Sequence, residues 1–421
     1  MANIYYLIDS YDIYLCNERK TGYSLWTPGN KVCEGKTKIV IELTDDKFTL
    51  PSSASNLFAN SRATISNLSK FDTSGCTDMS YMFHQAINQL SFTGVSGWDT
   101  SNVTTMKGMF AATTQMYYLD VSNWDTSSVT DMSEMFYSAG YSGNKITINI
   151  SGWDTSNVRD MSYMFKNCSV KNVNTSNIIT SNVTNMTEMF SGGSWSTIDV
   201  SSFDTSNVTS FYRMFYNCSG ITSLDLSNWN TSSATTMESM FNGCSNLTDL
   251  DVKHFDVSNC ARLDSMFSGT GITSLDIRGW DLRNATHIVS MFAHCSNLRY
   301  LRIEDVKVRT EGSNYQQANY MFDGDSNLTN VFASPNTDWN SAKMLGPAMF
   351  GGCTSILNWD GTVDIERANN VRTGGYFGFW EGDYEDYSLF EKKDNTWVAV
   401  TAFQKDSDTW KECDTKMKVI E

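Results

Sequence analysis

The dipeptide Met-Phe recurs at Phe83, Phe110, Phe136, Phe165, Phe190, Phe215, Phe241, Phe267, Phe292, Phe322 and Phe350, 25 to 30 residues apart. A degenerate Leu57-Phe58 stands one period earlier and brings the copies to twelve. A fixed period of this size signals a solenoid, a propeller or an array. About 25 residues is too short for a four-stranded blade or a helical pair, and fits one coil of a leucine-rich-repeat-like β-solenoid.

The copy from Ile221 to Asn246 shows the parts. Ile221, Leu224 and Leu226 have L-x-x-L-x-L spacing, repeated by Leu247, Leu250, Val252, by Ile272, Leu275, Ile277 and by Leu298, Leu301, Ile303. Alternation over so short a stretch predicts a strand with its apolar side chains inward. An aromatic residue follows, then D-T-S-x-V-T, a cluster that bonds its own backbone in turns. Two apolar residues three apart, such as Met106 and Met109, then precede Phe110 and predict a short helical or 3₁₀ turn opposite the strand. The expected fold is about twelve ~25-residue coils with one parallel sheet, roughly 55–60 Å long at ~4.8 Å per coil.

On these residues the chain resembles the BspA-like surface leucine-rich-repeat proteins, in the branch whose copies run W/F-D-T-S-x-V-T-x-M-x-x-M-F. The likeness covers about residues 57 to 355. It implies surface display, adhesion and binding of host or partner macromolecules, and no catalytic residues. The chain departs from such proteins in two ways: its start, MANIYYLIDSYDIYLC, has no basic n-region and carries Asp9 and Asp12 where a signal peptide is apolar, and its ends do not repeat.

Equivalent residues of a solenoid stack into columns. The aromatic column is Phe71, Trp98, Trp124, Trp153, Phe203, Trp229, Phe255 and Trp280, with Ile178 substituting once. A carbohydrate-stacking stripe is one role for it; interchange with isoleucine favours a buried corner. Cys168, Cys218, Cys244, Cys295 and Cys353 share a column with Ala86, Ala139, Gly193, Thr113, Thr270 and Asp325, so the position wants a small residue. Cys218 and Cys244 alone among these fall on adjacent coils, where a disulfide is geometrically conceivable. The Asp after the aromatic (Asp72, Asp99, Asp125, Asp154, Asp204, Asp256, Asp281) fits a turn cap better than a calcium column, because Gly-rich calcium nonapeptides are missing. The many N-x-S/T triplets, such as Asn207-Val208-Thr209, follow from the template and are not expected to carry glycans.

Outward columns carry the variation. One runs through Asp120, Asp199, Asp225, Asp251 and Asp276; two residues on, serines give way to Lys253 and Arg278; Tyr117, Tyr118 and Tyr300 border them. Like charges on neighbouring strands repel, so Asp199, Asp225, Asp251, Asp276, Lys253, Arg278, Tyr300 and Tyr118 form the candidate ligand-facing strip, on an expected concave face. No catalytic, cofactor-binding or metal residues are expected: the 4 His make no triad spacing, and the equivalent aspartates form ladders instead of one pair of glycosidase carboxylates. A net charge of −16 argues against nucleic acid, and the lack of a long apolar run against membrane insertion.

The chain thus divides into residues 1–55, a β-rich N-terminal cap or docking segment; 56–355, the solenoid; and 356–421, an aromatic, β-rich C-terminal cap or docking module with a hairpin around Lys393-Asp394-Asn395. The expected function is non-enzymatic surface recognition or adhesion. A phage fibre, decoration or receptor-binding component, folded in a cytoplasm and displayed on the virion, would bind a protein or glycan on a cell surface and other virion proteins through its ends. A bacterial BspA-like adhesin, or a polysaccharide-degrading solenoid enzyme, is the alternative.

Overall fold

The computed structural model describes residues 3–43, 46–140, 145–309, 318–333, 353, 355, 377–379, 387–393, 396–406 and 409–413. Met1–Gly378 is one compact unit and Phe379–Glu421 another. In the second unit, Tyr387–Lys393 pairs antiparallel with Thr396–Asp406, which pairs antiparallel with Thr409–Cys413. The expected hairpin therefore forms, while the charged end at 415–421 lies outside the described residues.

The first unit opens with a four-stranded sheet in the order Ser24–Leu25, Tyr5–Asp9, Asp12–Cys16, Lys38–Glu42. Its inward residues Ile13, Leu15 and Ile39, with Ile4 just ahead of its first strand in the chain, join the solenoid core. Parallel stacking starts before residue 56, because Phe48–Thr49 pairs in parallel with Phe71–Asp72.

Inside each coil the apolar columns are buried. The phenylalanines from Phe58 to Phe322 form one continuous stack, with successive centroids 5.4–5.9 Å apart. The aromatic column lies beside it: Trp98 stacks on Trp124 at 6.1 Å, and Trp229 on Phe255 at 6.4 Å. Each buried indole needs an acceptor. Trp98, Trp124, Trp153, Trp229 and Trp280 all find one in a main-chain carbonyl of the preceding coil, at 2.8–3.2 Å. The column is thus core, as its interchange with Ile178 predicts.

The expected single parallel sheet is interrupted. Tyr118–Asp120, Ile146–Asn149 and Val170–Asn172 pair in parallel, and so do Ser274–Asp276, Tyr300–Arg302 and Asn330–Ala333. Between them, Val200, Leu224, Leu226, Leu250 and Val252 point inward and are buried, but their segments make no strand. Cohesion there comes from side chains. Thr180, Thr205 and Thr231 are buried, and each hydroxyl donates to a carbonyl of the next coil at 2.9 Å. On the rim, Asn182, Asn207 and Asn259 donate amides to carbonyls of the coil before at 2.7–2.8 Å. The asparagines of the triplets Asn182-Val183-Thr184 and Asn207-Val208-Thr209 are therefore coil-to-coil ties.

The segment opposite the strands is not the helical turn its spacing suggests. Amides alternate in direction: Met106, Gly108 and Phe110 donate to Asp131, Ser133 and Met135 of the next coil, while Met109 and Ala111 donate back three residues to Met106 and Gly108. Left-handed residues four apart, such as Arg213 (φ 52°) and Asn217 (φ 56°), break the helix into linked turns. The bonds within a coil have 3₁₀ spacing, but the freed amides form a parallel ladder. A one-residue bridge runs along it from Ser53 through Asp78, Thr105 and Asp131 to His287.

Among the described residues nine of the chain's ten cysteines are free and buried, Cys218 and Cys244 included, so the conceivable disulfide is not formed. Their thiols donate instead to Phe190 and Phe215 carbonyls of the preceding coil, both at 3.1 Å. Burial raises Cys244, Cys260 and Cys295 to about 12, which leaves them unreactive thiols at neutral pH. Mass spectrometry of unreduced protein alkylated after denaturation should therefore count at least eight free thiols; three or more disulfides would contradict this packing.

Candidate functional site

The strand face carries the aspartate strip. Asp199, Asp225 and Asp251 are exposed and Asp276 is half-buried. Each carboxylate has a local role that charge spacing alone does not reveal. Asp199 Oδ1 accepts from the Ser201 amide at 3.1 Å and hydroxyl at 2.7 Å, and Asp225 Oδ1 accepts from Ser227 at the same two distances. Asp251 and Asp276 accept from the amides of Lys253 and Arg278 at 3.2 and 3.0 Å. These are Asx turns. They offset the repulsion between coils, and the Ser227 bonds lower the Asp225 pKa. The D-x-S spacing is the sequence signal for this role at Asp199 and Asp225, while Asp251 and Asp276 take it with Lys253 and Arg278 at the third position.

The eight strip residues do not make one cluster. Arg278 clasps Asp276 through Nε at 2.9 Å to both oxygens and Nη2 at 2.6 Å, with Lys253 Nζ 3.9 Å away. Burial raises the Asp276 pKa, but the Arg278 bonds outweigh it and the net shift is downward. Tyr300 sits one coil on, paired in register with Ser274. Tyr118 lies three repeats before Asp199, exposed beside Tyr117, its hydroxyl 3.5 Å from Asp120 Oδ2. Free carboxylate oxygens thus concentrate at Asp199, Asp225 and Asp251, while the Asp276 end is charge-paired.

The turn face was not anticipated. Its first left-handed position favours Gly, then Asn or Asp, because another L side chain there costs roughly 1–2 kcal/mol. Asn56 conforms, but the coils that follow place Tyr81, Glu134, Tyr163, Glu188, Arg213, Ser239, Ser265, Ser290 and Tyr320 there at φ 51–59°. Gly108 is the exception, and it has a reason: a Cβ at Gly108 would sit 2.2 Å from Tyr81 Cε1. The Tyr81 ring therefore lies across that coil, and its hydroxyl reaches Glu134 Oε1, two coils away, at 3.1 Å. Lys107 pairs with Glu134 at 3.6 Å, and Lys166 pairs with Glu188 while covering the Tyr163 ring at 5.2 Å. The Arg213 guanidinium is 4.9 Å from the centroids of both the Tyr212 and Tyr216 rings. The side-chain identities at these positions, without the backbone angle, carry no sign of this strain.

Among the described residues no group of three or more His, Cys, Asp or Glu is placed to hold a metal ion, and no helix is long and apolar enough to cross a membrane. Compared with known proteins, residues 52–147, 140–223, 219–339 and 275–372 match the family described as "Mycoplasma protein of unknown function, DUF285". A leucine-rich repeat protein from Bacteroides ovatus, solved by crystallography, is similar at 13% identity over 85% of this chain and 80% of that one, with a TM-score of 0.30. No curated protein matches.

Proposed function

The chain belongs to the family of Mycoplasma proteins of unknown function DUF285, and on that premise we propose that it is a non-enzymatic recognition or adhesion protein that presents the outward faces of a rigid solenoid to a macromolecule on a cell surface. One observation carries this: the stacked columns consume the apolar and most buried polar groups in packing, whereas the outward positions differ from coil to coil. Stacked repeats of this kind make extended binding surfaces.

The strand face contributes through the free carboxylate oxygens of Asp199, Asp225 and Asp251. Asparagine isolates that charge, because Asn149 and Asn174 already occupy the column and accept from the Ser151 and Ser176 amides at 3.3 and 3.0 Å. The triple variant Asp199→Asn, Asp225→Asn, Asp251→Asn should keep its stability within about 0.5 kcal/mol of the parent. Its binding to target cells should weaken, and the loss should shrink as salt rises. Unchanged cell binding at low salt would remove this strip from the contact.

The finer proposal is display on a phage particle, as a fibre, decoration or receptor-binding component. Nine buried free thiols among the described residues support it: such a core suits folding in a reducing cell interior, with exposure only after release. Antibodies to the chain should decorate purified particles in negative stain. Labelling confined to the bacterial surface would make it a cell adhesin instead.

A further inference from the structure

We infer that the chain pairs with a second copy of itself through the open edge of its N-terminal sheet, Lys38–Glu42 lying antiparallel to Lys38–Glu42 about a two-fold axis at Val40. This goes beyond the recognition reading and does not depend on it.

The edge supplies the first support. Lys38–Glu42 pairs in parallel with Asp12–Cys16 on one side, and among the described residues no strand pairs with it on the other. An open edge offers a row of main-chain donors and acceptors to another strand. The opposite edge of the sheet is Ser24–Leu25, only two residues long. Lys38–Glu42 is longer, and its interior, Ile39, Val40 and Ile41, holds no proline, glycine or charge to blunt it.

The outward face supplies the second. Ile13, Leu15 and Ile39 point into the core, so Tyr14 and Val40 point outward, and Leu7 stands opposite Tyr14. Leu7, Tyr14 and Val40 are half-buried and form one apolar row that stops at the open edge. A second copy continues the row with its own Val40, Tyr14 and Leu7.

Charge decides which strand the edge takes and in which direction. Antiparallel pairing centred on Val40 sets Lys38 opposite Glu42 of the second copy, and does so twice. Parallel pairing in register sets like charges opposite each other, which repels. A slip of two residues loses both contacts. Within one chain Lys38 Nζ is 3.6 Å from Asp12, and Glu42 accepts from Lys20 Nζ at 2.7 Å. Across the axis the order becomes Asp12, Lys38, then Glu42 and Lys20 of the second copy, alternating in sign. Each contact occurs twice, so the assembly closes as a dimer. Main-chain bonds supply the affinity and the charges fix the register. Five residues a side make a small interface, so the dimer is weak and reversible.

Sedimentation velocity of the full chain across the micromolar range should show a monomer–dimer equilibrium that salt shifts toward monomer. Lys38→Glu and Glu42→Lys each place like charges across the axis. Each variant alone should dimerise about ten-fold more weakly, or worse. An equimolar mixture of the two again sets opposite charges across the axis at both ends, and should dimerise as the parent does. Hydrogen exchange on the parent needs no variant: alternate amides of Lys38–Glu42 should gain protection as concentration rises. A parent that stays monomeric, variants that dimerise alone as tightly as the parent, a mixture of folded variants that stays monomeric, or exchange at this strand that ignores concentration overturns the inference.

Discussion

Replacing Trp229 by alanine is expected to destabilise the solenoid by about 3–5 kcal/mol, the range for large aromatic side chains truncated in a packed core. Trp229 is 3% exposed and lies against Phe211, Phe215 and Phe255, with centroids 5.4–6.4 Å apart. Rings above and below are anchored in their own coils and cannot collapse into the space. The truncation also removes one of two bonds to the Val200 carbonyl, which accepts the indole N–H at 3.0 Å and the Phe203 amide at 3.1 Å. Trp229→Phe separates the two contributions. Phe203 and Phe255 fill the same column, so phenylalanine keeps the stack and loses the hydrogen bond, at about 1–2 kcal/mol. Denaturant midpoints of both variants check the order. An alanine variant with the parent's midpoint but no ligand binding would make the column a ligand stripe after all.

The solenoid was legible because its determinants are periodic. Burial of Met106, Met109, Phe110 and Trp124 follows from the spacing of apolar residues, and the small-residue column containing Cys218 and Cys244 follows from what interchanges there. What escaped was backbone chemistry. A Met three residues before another Met is compatible with a helical turn, and nothing in the residue types announces that Arg213 or Tyr163 takes a left-handed conformation. The extended but unpaired segments around Val200 and Leu226 escaped likewise: inward alternation dictates which side chains are buried, not whether neighbouring amides meet. At the candidate site the aspartate column is visible in the sequence, and its role as turn caps is signalled by D-x-S at Asp199 and Asp225 but not at Asp251 and Asp276, where Lys253 and Arg278 hold the third position. The strained tyrosines of the turn face had no such signal, because their significance rests on φ.

A second large effect is expected from pH, and it comes from the position where the small-residue column holds an aspartate. Asp325 is fully buried; Oδ1 accepts from the Cys295 amide at 2.7 Å, and Oδ2 has no partner. Burial raises its pKa, the Cys295 bond lowers it, the charge of Asp323 raises it again, and the result is about 8 against an ordinary 3.8. Between those values the folded chain holds a proton that the unfolded chain has released. Stability therefore falls as pH rises through that window, and the contribution is gone above about 8. At about 1.4 kcal/mol per pH unit, the full effect reaches roughly 5 kcal/mol for the coils around Asp325. Other groups do not mimic it. Cys244 and Cys295 titrate near 12, Asp225 and Asp276 titrate below their ordinary value, and burial lowers the His84 pKa, so that His84 destabilises toward acid, with the opposite sign. Asp325→Thr should abolish the effect, because Thr270 shows how the column accommodates a hydroxyl: its Oγ1 donates to the Phe267 carbonyl at 2.8 Å. Hydrogen exchange at pH 5.5 and pH 8.5, corrected for intrinsic rates, gives the measurement. The amides of Phe292, Cys295 and Leu298 should lose protection at pH 8.5 in the parent and keep it in Asp325→Thr. Equal protection at both pH values in the parent would mean that the carboxylate is charged and solvated, which its burial between Cys295 and Cys353 does not permit.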